Sequence, residues 1–117
     1  MATHKIEIQA IPPVAFAVPG IRRVRTGDTI NFHNKTGGPV KISMAADNVL
    51  KGTKTLKPLK LLKPMLINQG QKKAFEVMAT DGTHEFSVHY NYLDKQKKKR
   101  RTGFAIGASS PKIIIDR

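Results

Sequence analysis

Short runs of alternating apolar and polar residues, separated by Gly, Pro and Asp, make up most of the chain. In Lys5-Ile6-Glu7-Ile8-Gln9-Ala10 the residues Ile6, Ile8 and Ala10 fall on one face of a strand. Pro12-Pro13 ends it. Ile21 to Arg25 reads as a second strand, and Thr26-Gly27-Asp28 as a turn. Thr29 to Asn34 is a half-buried strand with Ile30 and Phe32 inward and Asn31 and His33 outward. Lys35-Thr36-Gly37-Gly38 reads as a hairpin loop, and Val40, Ile42 and Met44 as the inner face of the returning strand. Further strands are expected at Ala74–Met78, with Phe75 and Val77 together, and at His84–Tyr92. In the latter His84, Phe86, Val88 and Tyr90 share a face. Pro111 precedes a last strand, Lys112–Asp116.

Residues 45–66 break the pattern. Lys51, Lys54, Lys57, Lys60 and Lys63 recur every third position, as do Leu56, Leu59, Leu62 and Met65, while Pro58 and Pro64 exclude a continuous helix. The segment is read as a long irregular loop whose leucines cover a sheet edge. The alternative is a polyproline II ribbon. Seven or eight short strands without a helical pattern predict an all-β sandwich or barrel. At 117 residues the chain is expected to form a single domain, 1–117.

Charge changes the picture most. Twenty-one basic residues face eight acidic ones, a formal charge of +13. That surplus favours acidic partners: an acidic protein, polysaccharide, nucleic acid or an anionic membrane surface. The longest apolar stretch, Ala10 to Ile21, is interrupted by three prolines and too short to span a bilayer. Met1 to Lys5 leads straight into a strand pattern without signal-peptide character. The location is left open: periplasmic or secreted if a signal was removed, otherwise cytoplasmic.

Three segments together resemble the cupredoxins. Gly20 to Asn34 is similar to that family's strand, Gly-Asp turn and strand ending in Asn. Gly70 to Met78 resembles its Gly-led strand, and Asp81-Gly82-Thr83-His84-Glu85-Phe86-Ser87-Val88-His89 its Gly-x-Tyr-x-Phe-x-Cys run. The resemblance implies a Greek-key β-sandwich of the plastocyanin and azurin type. It also implies where a blue-copper site would lie, and there the chain departs from the family. The first His is replaced by Val40, the Cys by Val88 and the second His by Asn91. The chain contains no cysteine, so the thiolate of a type 1 centre has no source. No cofactor is expected, and electron transfer is disfavoured.

Lys95-Gln96-Lys97-Lys98-Lys99-Arg100-Arg101 is the most distinctive feature of the chain. It is read as an extended loop at one end of the sandwich. Lys95, Lys97, Lys98, Lys99, Arg100 and Arg101 are the candidate anion-binding residues. Tyr90, Tyr92 and Phe104 flank the run and, if exposed, offer rings on which bases stack. His4, His33, His84 and His89 are scattered, so a non-blue His/Met metal site would have to assemble across strands. No nucleophile elbow, phosphate loop or carboxylate pair is present. The leading expectation is a non-catalytic module that binds an anionic partner through its basic end. A metal-binding protein with a His/Met site, or a structural or protein-interaction subunit, are the alternatives.

Overall fold

The computed structural model describes residues 2–53, 64–105 and 111–116. Eleven strands run through them: β1 (Thr3–Ile11), β2 (Val14–Val18), β3 (Ile21–Arg25), β4 (Thr29–Asn34), β5 (Val40–Met44), β6 (Leu50–Gly52), β7 (Met65–Ile67), β8 (Lys72–Val77), β9 (Gly82–Asp94), β10 (Lys99–Phe104) and β11 (Lys112–Asp116). One sheet has the order β2-β1-β4-β8-β6. The other has the order β3-β11-β9-β5-β7, with β10 joined to β9 beyond the end of β11. Both sheets are mixed, through the parallel pairs β1/β4 and β3/β11.

The alternation explains the layers. Ile6, Ile8, Ile30, Phe32, Phe75 and Val77 are buried from the first sheet, and Val40, Ile42, Met44, Phe86, Val88, Ile113 and Ile115 from the second. Phe32 bridges them, meeting Phe75 edge-on at 6.1 Å and Phe86 at 5.6 Å between ring centroids. A strand exposes one face only if its partner sheet covers the other, so the period-two pattern and the sandwich are one fact seen twice.

The structure corrects the expected topology in several places. Four strands go beyond those read from the pattern. Strand β2 is uniformly apolar between Pro13 and Pro19, so no alternation marks it; Pro12-Pro13 is the turn from which it folds back on β1. Strands β6 and β7, three residues each, form within the segment expected to be an irregular loop, β7 running one residue past its end. The Lys and Leu ladder of residues 54–63 lies outside the described residues. Lys51, its first member, pairs with Glu76 on β8 at 3.0 Å. The fourth, β10, is formed by half of the charge run.

Lys35–Gly38 is also not a hairpin: β4 and β5 belong to opposite sheets, and the loop crosses between them. Buried Asn34 organises the crossing. Its amide nitrogen donates to the carbonyls of Gly38 (2.8 Å) and Ile67 (2.9 Å), and its oxygen accepts from the Thr36 N–H (2.9 Å) and hydroxyl (2.7 Å). The Thr26–Asp28 turn holds the N-terminus. Asp28 accepts from the backbone N–H groups of Ala2 and Arg25 and from His4 Nε2 at 2.8 Å. Arg22 Nε donates to His4 Nδ1, which places the imidazole proton on Nε2. Burial works to raise the Asp28 pKa, but His4 and the two backbone donors outweigh it and hold the carboxyl down at about 2.

Candidate functional site: a basic β-hairpin

Strand β9 is 13 residues long, and its inward positions Phe86, Val88, Tyr90, Tyr92 and Asp94 are all buried. Its second half runs beyond the reach of β11 and takes β10 as its partner instead. The chain reverses through Lys95–Lys98, where Lys98 adopts a positive φ of 51°. The expected extended loop is therefore corrected to an ordered hairpin. The reason is local: the backbone of β10 pairs along β9 while the consecutive side chains of Lys99 and Arg100 stay in solvent.

Two contacts fix the hairpin. Asp94 is 3% exposed, and its Oδ1 caps the turn by accepting from the N–H groups of Gln96 (3.2 Å) and Lys97 (3.4 Å). Its Oδ2 accepts from Nε and an Nη of Arg101 at 3.3 and 3.2 Å. Burial works to raise the Asp94 pKa; the Arg101 guanidinium and the two turn N–H groups prevail and hold it below the ordinary carboxylate value. Arg100 donates to the Asn91 side-chain oxygen at 2.8 Å. Of the six candidate cations, Lys95, Lys97, Lys98, Lys99 and Arg100 are exposed, and Arg101 is half-buried as the internal counter-ion of Asp94.

Tyr90 and Tyr92 do not serve as stacking surfaces: they are 5% and 2% exposed. They continue the inward alternation of Phe86 and Val88, a signal already present in the sequence. Their rings lie 5.7 Å apart, and the Tyr92 hydroxyl donates to the Val14 carbonyl at 2.7 Å. Burial pushes the Tyr92 phenol up. Gly103, opposite Tyr90 on β10, has a φ of 152° and no side chain, which leaves room for the tyrosine hydroxyl. The exposed ring is Phe104, at 63%.

Of the positions that the cupredoxin resemblance marks as copper ligands, Val40 and Val88 are buried on the neighbouring strands β5 and β9, whereas Asn91 turns its side chain to the opposite, outer face. Val40 is the cross-strand partner of Tyr90, and Ile42 that of Val88. A Cβ added to Gly38 would stand 1.9 Å from the Asn91 carbonyl oxygen, so only glycine permits this approach. The residues present do not fit a copper ion: Val40 and Val88 offer no donor atom, and the Asn91 amide is engaged by Arg100.

The histidines are dispersed. His4 serves Asp28, His84 contacts the Asp81 carbonyl at 2.9 Å, and His89 packs edge-on against Phe104. His33 lies on the outer face of the first sheet, paired in register with Glu7 on β1 and Lys72 on β8. Burial, then Lys72 and Lys35, lower its pKa. Among the described residues no three of His, Asp and Glu form a group able to hold a metal. A pocket of about 410 Å³ is lined by Ala2, His4, Arg23, Val24, Arg25, Asp28 and Asp116. Within it His4 pairs with Asp28 and, at 3.0 Å, Arg23 with Asp116. No helix among the described residues is long and apolar enough to cross a membrane.

No family model matches the chain, and no curated protein does. Solved structures do. A methionine-to-alanine mutant of amicyanin in its copper(I) form superposes with a TM-score of 0.58 at 15% identity, covering 97% of this chain and 82% of that one. A purple cupredoxin from Nitrosopumilus maritimus gives 0.53 at 15% identity, covering 97% and 99%. An oxidised proline-to-glycine mutant of amicyanin gives 0.55 at 13% identity, with 97% and 82% covered. With two packed sheets, a Gly-Asp turn before an Asn-terminated strand, and alignment to both proteins over 97% of its length, the chain has the cupredoxin-like fold.

Proposed function

We propose that this chain is a non-catalytic binding module, a copper-free cupredoxin-like sandwich that engages an anionic partner through the tip of the β9–β10 hairpin. The observation that carries the reading is the hairpin itself. Lys95, Lys97, Lys98, Lys99 and Arg100 are exposed within six residues, on a turn held by buried Asp94. Like charges so close repel one another. A free loop would spread them apart; here the backbone is paired and the carboxylate that offsets part of the charge is sequestered on Arg101. An anion docking at the tip meets cations already gathered, so less ordering entropy opposes binding. The +13 charge of the chain adds long-range attraction.

The test is a titration against heparin, single- and double-stranded oligonucleotides, an acidic polypeptide and anionic vesicles at two salt concentrations. Binding at low salt that weakens steeply with added salt is expected for at least one of them. Failure to retain any of them at low salt refutes the reading.

A further inference from the structure

The hairpin tip adjoins a second feature. Directly paired residues of neighbouring antiparallel strands share a sheet face. Across β10, β9, β5 and β7 one row of such partners reads Phe104, His89, Lys41, Leu66. These are outward positions, since the neighbours Val88, Tyr90, Val40, Ile42, Met65 and Ile67 are the buried ones. Phe104 is 63% exposed, and its ring meets His89 at 5.4 Å and 75°. Four residues before Phe104 on the same face stands exposed Arg100, opposite Leu93, which is 45% exposed. Lys41, also exposed, lies on the other side of His89. Glu85, the carboxylate on this face of β9, is four residues from His89, or about 13 Å at the usual strand rise.

Resting on the reading of the hairpin as an anion-binding element, we infer that this sheet face seats a single-stranded nucleic acid, with a base stacked on Phe104 and phosphates met by Lys41, Arg100 and the hairpin lysines. The chemistry selects the ligand. An exposed aromatic ring flanked by cations on a sheet face suits a polyanion that also carries flat apolar rings. A duplex meets the cations but keeps its base faces covered, and a sulfated polysaccharide carries no aromatic ring to stack. A docked protein is disfavoured because an interface centre is a contiguous apolar cluster. Here Phe104, Leu66 and Leu93 are separated by His89, Lys41 and Asn91. From Phe104 to Arg100 is about 13 Å along β10, and from Phe104 to Lys41 about 10 Å across two strand spacings, room for a few nucleotides.

The experiment is fluorescence anisotropy with a labelled ten-nucleotide oligothymidine and its abasic ten-mer, which keeps the phosphates and lacks the bases. Heparin and poly-glutamate serve as competitors. Oligothymidine is expected to bind roughly tenfold or more tighter than the abasic strand. Phe104→Ala should erase that difference while leaving abasic and heparin binding unchanged, and Phe104→Trp should keep it. The ring is exposed, so the fold is retained in both variants, checked by circular dichroism. Equal binding of the two strands, with Phe104→Ala silent and heparin still bound, overturns this inference and leaves the hairpin reading intact. Failure of both strands to bind the wild-type chain overturns this inference, and if heparin, poly-glutamate and anionic vesicles fail as well the hairpin reading falls with it. Tighter binding of poly-glutamate than of oligothymidine, sensitive to Phe104→Ala, makes the face a protein site and also overturns the inference.

Discussion

Asn34→Ala tests how the loop beneath the basic hairpin is held. The wild-type amide makes four hydrogen bonds, to Gly38, Ile67 and twice to Thr36, in a fully buried position. The substitution removes all four. The single proton of the Thr36 hydroxyl, released from Asn34, turns to the Gly38 carbonyl 2.8 Å away. The Thr36 N–H loses its acceptor and the Ile67 carbonyl its amide donor. At about 1 kcal/mol net per bond, raised by buried groups left unpaired and lowered by any water that enters, the loss is about 3 kcal/mol. With a urea m-value of about 2 kcal/mol/M, the midpoint should fall by roughly 1.5 M with m unchanged. Asn34→Asp sharpens the test. It keeps the acceptor for Thr36 but turns a carboxylate oxygen toward the two carbonyls, so at neutral pH it should be at least as damaging. It should recover at acid pH, where a protonated carboxyl donates to one carbonyl. A midpoint shift below about 0.3 M for Asn34→Ala, under about 0.6 kcal/mol, refutes the claim that this side chain organises the crossing.

Three further outcomes are expected. Asp28, held at about 2 against an ordinary 3.8, adds stability that is fully present above the ordinary value and lost as pH falls through about 2. Acid titration of unfolding should show a decline of about 2 kcal/mol across that window, absent in Asp28→Asn. Gly38→Ala forces the new methyl against the Asn91 carbonyl and should lower the melting temperature by roughly 5–10 °C; an unchanged melt contradicts the close approach. Asp94→Asn keeps a cap for the turn but removes the charge that Arg101 answers. Faster amide exchange at Gln96 and Lys97, without global unfolding, is the expected signature, and unchanged protection counts against Asp94 as the hairpin's anchor.

What was legible in the sequence was facing. The inward residues of β1, β4, β5, β8 and β9 follow from alternation, because burial on one side leaves a period of two in the chain. Sheet membership was not. Lys35–Gly38 carries ordinary turn residues whether it closes a hairpin or crosses between layers, and only the buried Asn34 shows which. Strand β10 was hidden because its composition is that of a solvated loop: Lys-Arg-Arg-Thr-Gly-Phe pairs through backbone, and its register is fixed by Asp94 seven residues before Arg101. The candidate cations were found from the charge run, but their division into exposed lysines and a half-buried Arg101 required that register. For the tyrosines, proximity to the run suggested a stacking role conditional on exposure, and their strand parity excludes it.

The most direct test of the hairpin as binding site is the salt dependence of heparin and oligothymidine binding. It is to be compared between the wild-type chain and the quadruple variant Lys95→Ala, Lys97→Ala, Lys98→Ala, Lys99→Ala. If these lysines neutralise the partner's charge, the variant binds more weakly, and its plot of log affinity against log salt for oligothymidine is flatter by about 0.7 for each phosphate no longer neutralised. Superimposable slopes and affinities for the two proteins would show that the partner binds elsewhere.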